Sequence, residues 1–361
     1  MSSRRKVSIV GIRGLPPRYG GFETLAHFLV ERLGEKMDVT VYCSGPDSPE
    51  RQDSYLSARL KYLPIRANGA QSILYDFAAL MSSCIHEDAI LVLGVSGGIF
   101  FPFARLFSKQ IVLNIGGLDW QRAKWGKWAS RFLKLSEAVA IKWTNVSVAD
   151  NAGIAAYLKA EYGRDSVLIE YGGDHNSVPA ITEERRQRYP FLNAPYALAV
   201  ARIQADNNVE MVLEAFSQTP NQVLVMVGNW TNSDFGRDLK AKYSDRSNMH
   251  LLDAIYDLEE LNTLRAHCAV YVHGHSAGGT APSLVEAMYL SLPVVAFDVN
   301  YNRETTENTA LYFKDAAELA ELMNRVSPVE WEKQRTVMKE IADRRYRWSI
   351  IAEKYADQLN D

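Results

Sequence analysis

Apolar residues recur along the chain in two alternating patterns. Short runs rich in β-branched residues, such as VSIVGI, DVTVYCS, AILVLGV and QIVLNI, are separated by longer stretches with helical spacing, such as FETLAHFLVERL and AGIAAYLKAEY. Strands that alternate with helices predict a parallel sheet that is covered by helices on both faces. We therefore predict an α/β fold for the first part of the chain.

The same alternation begins again after NSVPAITEERRQRYPFLNAP, a polar segment that contains prolines. With 361 residues, the chain is also too long for one typical core. We predict two Rossmann-like, doubly wound domains, at residues 1–174 and 175–345. The segment 346–361 has helical spacing and either caps the second domain or packs back on the first. Ligands of such sheets bind at the carboxyl ends of the strands, so the cleft between the domains is the expected site.

Composition and charge exclude several classes of protein. The formal net charge of -3 argues against a general nucleic-acid binder. Cys43, Cys84 and Cys268 are far apart, which predicts neither a disulfide framework nor a zinc site and favours a reducing, cytoplasmic setting. The first apolar run is too short for a signal peptide, and the longest uncharged stretch, 89–104, is shorter than the roughly 18 residues that span a bilayer.

The stretch HGHSAGGTAPSLVEAM, residues 273–288, joins a glycine-rich bend to a predicted helix that begins at Pro282. The first-turn amides of a helix lack intrahelical partners, and the helix dipole is positive there, so this position favours anions. A phosphate near Ser283, bound by the amides of Gly279, Thr280 and Ala281, is the functional interpretation. An ordinary tight turn remains the alternative.

The loop after the first strand, GIRGLPPRYGGFET, does not have the glycine spacing of a dinucleotide-binding fold. The second strand ends in Cys43 and Ser44, without the acid that would bind an adenine ribose, and the chain has no P-loop motif. Gly20 and Gly21 could let the backbone approach a phosphate or sugar, while Arg13 or Arg18 supplies charge. Solvated arginines are an equally good explanation of the two charges.

The second half resembles the retaining GT-B glycosyltransferases of family 4. VARIQADNNVEMVLEAF has Arg202 at the family's arginine position, and GGTAPSLVE supplies Glu286 as the second glutamate of an E-x7-E motif. More narrowly, GIRGLPPRYGGFET, DWQRAKW and HGHSAGGT together resemble bacterial rhamnosyltransferases of surface polysaccharide synthesis. The resemblance implies a GT-B fold without a metal or other cofactor, in which Arg202 and helix amides hold a diphosphate and Glu286 holds the nucleoside sugar.

Two positions depart from the family pattern. Asn207 stands where the family has a lysine, and Gly278 stands at the first glutamate of E-x7-E. Either another residue holds the donor sugar, or that sugar lacks a hydroxyl there, as a deoxysugar such as rhamnose would. Relatives also tend to have an aspartate where Gly116 stands. Nearby Asp119 either orients or deprotonates an acceptor hydroxyl or caps the following helix.

Several further residues near strand ends invite an interpretation. We expect His273 and His275 to face opposite sides of their strand end, so that only one of them contacts the ligand. Asp150 and Asn151 are expected to cap the next helix, with ligand binding as the alternative. The segment YGGDH, residues 171–175, is the predicted hinge into the second domain.

Residues 100–145 carry eight basic and two acidic residues, a net charge of +6, and four of the seven tryptophans. Basic residues interleaved with tryptophan suit the headgroup layer of an anionic membrane, and a lipid-linked acceptor would explain them. The alternative is that the tryptophans pack in the core. A peripheral position on the inner face of the plasma membrane is therefore one possible location.

These observations predict a hexosyltransferase that moves L-rhamnose from dTDP-L-rhamnose, with retention, onto a polysaccharide or lipid-linked saccharide. Retention is implied by the family resemblance. Three alternatives remain open: a transferase that uses a UDP-sugar, a nucleotide-sugar epimerase or hydrolase on the same fold, and a non-catalytic membrane-bound scaffold subunit.

Overall fold

The computed structural model describes residues 4–17, 20–69, 71–107, 109–121 and 126–360. Contacts divide the chain into two compact units. The first consists of Met1–Tyr171 with Trp348–Asp361, and the second is Gly172–Arg347. Each unit is built on one sheet flanked by helices, so the predicted α/β fold with two Rossmann-like domains is confirmed.

The first unit contains an eight-stranded sheet. Its strands are β1 (Lys6–Val10), β2 (Asp38–Ser44), β3 (Ser54–Tyr55), β4 (Ala58–Leu63), β5 (Ala89–Leu93), β6 (Gln110–Asn114), β7 (Val146–Ala149) and β8 (Val167–Leu168). They lie in the order β3-β4-β2-β1-β5-β6-β7-β8, and every pair is parallel except β3 with β4. The helices are α1 (Gly21–Leu33), α2 (Gln71–His86), α3 (Phe101–Ala104), α4 (Lys127–Trp143) and α5 (Ala152–Tyr162).

The second unit contains a six-stranded, entirely parallel sheet in the order β11-β10-β9-β12-β13-β14. Its strands are β9 (Ala197–Val200), β10 (Leu224–Val227), β11 (Met249–Leu252), β12 (Val270–His273), β13 (Val294–Phe297) and β14 (Leu311–Phe313). Its helices are α6 (Glu183–Arg188), α7 (Val209–Ser217), α8 (Asp234–Tyr243), α9 (Leu258–Ala266), α10 (Pro282–Tyr289), α11 (Asn300–Thr305), α12 (Ala316–Arg325) and α13 (Pro328–Arg345).

The last helix, α14 (Trp348–Asn360), belongs to the first unit. Trp348, Ile351 and Tyr355 lie on one face and are fully buried. Trp348 stacks on Phe28 of α1 with ring centroids 4.5 Å apart, and Asn114 Nδ2 at the end of β6 donates to the Tyr355 hydroxyl at 2.6 Å. The C-terminal helix therefore completes the core of the first unit.

The central strands are buried on both faces, which explains their continuous apolar runs. In each sheet, the strand order changes direction at one pair: β1 with β5 in the first unit, and β9 with β12 in the second. Ligands of doubly wound sheets bind beyond the carboxyl ends of the strands at such a point. The loops that follow these four strands are therefore where a site is expected.

Candidate active site

The loop after β12 leads into α10, which begins at Pro282 as predicted. Ala281 is the N-cap residue, and no side chain caps this helix. Gly278 has a φ of 134°, which glycine adopts far more readily than other residues. A Cβ atom at Gly278 would meet no atom within 4 Å. The start of α10 is thus preceded by an open bend that depends on glycine, and no side chain competes for its first-turn amides.

Glu286 lies one turn inside α10 and is held by two basic side chains. Its Oε2 is 2.7 Å from Arg265 Nη2, and its Oε1 is 3.3 Å from His175 Nε2. Burial alone would raise the pKa of Glu286, but the Arg265 charge and the His175 hydrogen bond lower it to about 2. The carboxylate is therefore ionised at every physiological pH and is fixed in orientation, and it can accept hydrogen bonds from hydroxyl groups.

The partner Arg265, on α9, is only 1% exposed. Its Nη1 donates to Asn176 Oδ1 and Asn262 Oδ1, both at 3.1 Å, while Nη2 pairs with Glu286. A buried charge needs such partners, because desolvation without them costs several kcal/mol. Arg265 and its two asparagine partners were not identified from the sequence. No local sequence pattern distinguishes this arginine, and its burial in α9 is visible only in the structure.

The two histidines do not diverge, so the predicted opposite orientation is wrong. The rings of His273 and His275 stack with centroids 4.4 Å apart and planes inclined by 6°. The physical reason is the period of a strand: side chains two residues apart point to the same face. His273 is 1% exposed, and neither of its ring nitrogens has a hydrogen-bond partner among the described residues. Burial, and then the neighbouring His275, hold the pKa of His273 well below its ordinary value.

The loop after β9 is tied to the loop after β12. The side-chain amide of Asn207 donates to the Arg202 carbonyl at 2.7 Å, and the side-chain amide of Asn208 donates to the Gly274 carbonyl at 2.9 Å. The Ser276 amide and hydroxyl both donate to the Asp206 carbonyl. Asn207 therefore holds the backbone of its own loop. The Arg202 side chain is exposed and makes no hydrogen bond or ion pair with the described residues.

The remaining predicted residues of this loop differ in their surroundings. Thr280 is buried, whereas Gly279 and Ala281 are partly exposed. Ser283, also partly exposed, makes a side-chain hydrogen bond with Tyr271 of β12, whose ring is fully buried. The structure thus gathers residues 273–286 around the start of α10.

In the first unit, the loop after β1 surrounds a buried carboxylate. Gly20 has a φ of 138°, which favours glycine, and a Cβ atom there would lie 2.1 Å from Glu23 Oε2 and would displace this carboxylate. Gly21 begins α1. Burial raises the pKa of Glu23, although hydrogen bonds from the Glu23 and Arg13 amides oppose this effect. Arg13 is exposed, and Arg18 lies outside the described residues.

Asp119 follows β6 and begins a short 3-10 helix, Asp119–Gln121. Its side chain is not among those that the structure describes. Helix α4 begins at Lys127 with Gly126 as its N-cap, so Asp119 does not cap α4 and that alternative is wrong. Asn151 does cap α5, since its side chain accepts a hydrogen bond from the Gly153 amide.

A second buried carboxylate in this unit was not identified from the sequence. Asp76 of α2 accepts a hydrogen bond from the Ser96 hydroxyl, and burial raises its pKa to about 6. It lines a small cavity of about 10 Å³ together with Gly11 and Gly94, which follow β1 and β5. Such a volume holds roughly one water molecule. Within the described ranges, no group of three or more metal-binding side chains is present.

Two family models match the chain. Residues 4–174 match a domain of unknown function, DUF1972, and residues 181–345 match the glycosyl transferases group 1 model. The second match covers Arg202, the β12 loop and Glu286.

Solved structures with similar folds cover nearly the whole chain. Sucrose-phosphate synthase from Thermosynechococcus elongatus is 18% identical with a TM-score of 0.83, and the match covers 99% of this chain and 98% of that one. HepE from Anabaena, in complex with UDP and glucose, is 14% identical with a TM-score of 0.78, covering 99% of both chains. A glycosyltransferase from Rickettsia africae is 14% identical with a TM-score of 0.76, covering 99% and 98%.

The identities are too low to carry over an activity, but the coverage and scores establish the fold. The match to the glycosyl transferases group 1 model covers the half of the chain that contains Glu286. The chain therefore has a GT-B fold, and residues 181–345 match the glycosyl transferases group 1 model.

Proposed function

We propose that this protein transfers a hexosyl group from a nucleoside-diphosphate sugar to a saccharide acceptor. The observation that carries the proposal is Glu286, whose side chain is 13% exposed and which Arg265 and His175 keep ionised one turn inside a helix whose start has no side-chain cap. An anion at the helix start and a hydroxyl at the carboxylate are the two groups that a nucleoside diphosphate presents together.

The diphosphate is proposed to lie against the amides of Gly279, Thr280 and Ala281. Arg202, which is exposed and has no ion pair within the described residues, supplies a positive charge. Fixed amides, a helix dipole and an arginine can stabilise the charge that develops on a leaving diphosphate without a metal. The donor sugar is proposed to occupy the space beside Gly278, where it would contact the side chains of His275 and Ser283.

The proposed donor is dTDP-L-rhamnose, and a UDP-sugar is the second candidate. Rhamnose is supported by the motif resemblance and by glycine at position 278, where the family has a glutamate that contacts a sugar hydroxyl. UDP is favoured by the complexes of HepE, which contain UDP and UDP-glucose. Only the uridine ribose offers a 2′-hydroxyl to Glu286, but a single glutamate accommodates either nucleotide.

The acceptor is proposed to bind the first unit, near Arg13, Gly20, Gly21 and Asp119. A polysaccharide or a lipid-linked saccharide supplies the attacking hydroxyl. We propose transfer with retention, in which the leaving phosphate receives the acceptor proton on the same face of the sugar. Asp119 then orients the acceptor hydroxyl.

Two experiments test the proposal, first a measurement of donor binding and then a measurement of turnover. A thermal-shift panel of dTDP, UDP, dTDP-L-rhamnose and UDP-glucose is expected to raise the melting temperature with one nucleotide series, because a ligand that binds only the folded state stabilises it. With that donor and an acceptor saccharide, Glu286→Gln is expected to lower kcat/KM by about 100-fold or more. The carboxylate offers two oxygens that accept hydrogen bonds from hydroxyl groups, whereas the neutral amide offers only one.

The matched control is Glu340→Gln, an exposed glutamate on α13, which is expected to retain full activity. Normal turnover of Glu286→Gln would contradict the role of the carboxylate. Release of nucleotide at the same rate with and without acceptor would instead identify a hydrolase, and the absence of any nucleotide binding would identify a scaffold subunit.

A further inference from the structure

Helix α4 presents an exposed face that is both aromatic and basic. Trp128 is 82% exposed, Leu135 60% and Trp143 40%, and all three lie on the side of the helix that also carries Arg131 and Lys142. The Arg131 guanidinium lies 5.6 Å from the Trp128 ring centroid. The one acidic residue of α4, Glu137, is completely buried. Trp128 and Trp143 are therefore solvent-exposed, contrary to the core-packing alternative for these two, whereas Trp120 is partly exposed and Trp125 lies outside the described residues.

The exposed face continues onto the neighbouring corner formed by α3 and the 3-10 helix Arg105–Phe107. Phe103, Leu106 and Phe107 are 56%, 80% and 44% exposed, and the segment 101–107 contains no acidic residue. Arg105 Nη1 donates to Asn145 Oδ1 at 2.7 Å, which fastens this corner to the chain just beyond Trp143. We call this combined surface, α4 with residues 101–107, the aromatic-basic face.

A groove of about 410 Å³ opens along the same helix. Its lining combines the apolar Ala138 and Ile141 with the basic Lys142 and Arg164, and also includes Tyr162 and Glu161. Glu161 pairs with Lys134 at 2.9 Å, so its charge is already matched. Apolar side chains beside two basic groups suit a lipid phosphate together with the first carbons of its chains.

We propose that the aromatic-basic face binds the surface of an anionic lipid bilayer. Exposed tryptophan and phenylalanine rings enter the headgroup layer, while Arg105, Lys127, Arg131 and Lys142, all exposed, pair with lipid phosphates. The two tryptophans are separated by 15 positions of one helix, about 22 Å, so the contact is extended and the helix lies along the surface. None of the described helices is long and apolar enough to cross a membrane. This inference does not depend on the donor proposed above.

Vesicle sedimentation tests the inference with the whole protein. Binding is measured to phosphatidylcholine vesicles and to vesicles with about 30 mol% phosphatidylglycerol, at low and high salt. We expect at least about tenfold tighter binding to the anionic vesicles, with that preference lost at high salt. The double variant Trp128→Ala/Arg131→Glu is expected to reduce this binding by about tenfold or more, because it removes one anchor and reverses one charge.

The matched control is Val329→Ala/Lys333→Glu on α13, an equally exposed apolar and basic pair four positions apart, which is expected to bind like the unaltered protein. Melting temperature and nucleotide binding of both variants verify their folding. Equal binding to both vesicle types, or equal losses in the two variants, would overturn the inference. A dimer that Trp128→Ala/Arg131→Glu dissociates would assign this face to a second copy of the chain instead.

Discussion

Glu286 in the second unit and Asp76 in the first are both largely removed from solvent near the expected ligand edge of their sheet, but the two carboxylates have opposite surroundings. Glu286 in the second unit contacts Arg265 and His175, and its pKa falls to about 2. Asp76 in the first unit contacts the uncharged Ser96 hydroxyl, and its pKa rises to about 6. Burial raises the pKa of both groups, so the neighbouring charges decide the outcome.

The difference separates a fixed charge from a group that titrates. Glu286 keeps one charge state and one orientation throughout the physiological pH range, which suits it for binding hydroxyl groups of a nucleoside. Asp76 changes its protonation near neutral pH, in a unit whose strand-end loops are also glycine-rich. Removing the cation beside Glu286 should therefore lower the free energy of unfolding, whereas removing the ionisation of Asp76 should raise it.

The largest effect is expected when Glu286 loses its buried cation. Arg265→Met leaves the carboxylate largely desolvated without its strongest partner, which costs about 3 to 5 kcal/mol for a buried pair. It should also raise the pKa of Glu286 towards the value that burial alone would impose. Urea unfolding at neutral pH measures the loss in the free energy of unfolding.

Two further variants separate the ion pair from simple loss of packing. Arg265→Met/Glu286→Leu removes both charges and should recover part of the lost stability, because no uncompensated charge remains. Arg303→Met breaks a partly exposed pair with Asp298 in the same unit and should cost less than about 1 kcal/mol. If Arg265→Met lowered the free energy of unfolding by no more than Arg303→Met does, the ion pair with Arg265 would not be what stabilises the charge of Glu286.

A smaller effect, of opposite sign, is expected at Asp76. Its pKa is raised from 3.8 in the unfolded chain to about 6, so ionisation opposes folding and stability is lost as the pH rises through 6. The shift corresponds to about 3 kcal/mol at most, at a rate of about 1.4 kcal/mol per unit. Asp76→Asn removes the ionisation and should therefore gain stability relative to the unaltered protein between pH 4 and pH 8.

The measurement is the difference between the two unfolding free energies as a function of pH. A constant offset reflects the altered hydrogen bond with Ser96 and does not bear on the charge. The rise between pH 4 and pH 8 reports the ionisation of Asp76 alone. A flat difference curve would show that the carboxyl titrates alike in the folded and unfolded chains.

Much of the fold was predictable because its elements have strong local signals. DVTVYCS coincides with β2, AGIAAYLKAEY with α5 and VEMVLEAFS with α7. In α5, the Asn151 cap and Gly163, with a φ of 64°, mark both ends in the sequence. Several elements were not predicted, among them β3, β4, β11, β14 and α2. Strand β4 is only partly buried, and α2 carries Asp76 and Ser83 among its buried positions, so neither has a clean apolar pattern.

The site was predictable only where its chemistry lies within one loop. The glycine-rich bend and the helix start at Pro282 are adjacent in sequence, and the structure agrees with both. Arg265 reaches Glu286 from another helix, 21 positions earlier, and no local pattern encodes that contact. The period of a strand already places the side chains of His273 and His275 on the same face, so the predicted opposite orientation was wrong for a reason visible in the sequence.

His273 offers the smallest of these effects and completes the comparison, because its response to pH should oppose that of Asp76. Its pKa lies well below 6.5, so below that pH the unfolded chain binds a proton that the folded chain rejects. Stability should fall as the pH drops from 7 to 5, with a slope of at most about 1.4 kcal/mol per unit from this residue. His273→Phe keeps a stacked ring beside His275 and should remove that slope, whereas His86→Gln, at an exposed position on α2, should not. Parallel pH curves for His273→Phe and the unaltered protein would mean that the buried ring accepts a proton in the folded state, and that the space around its two unpartnered nitrogens admits water or an anion.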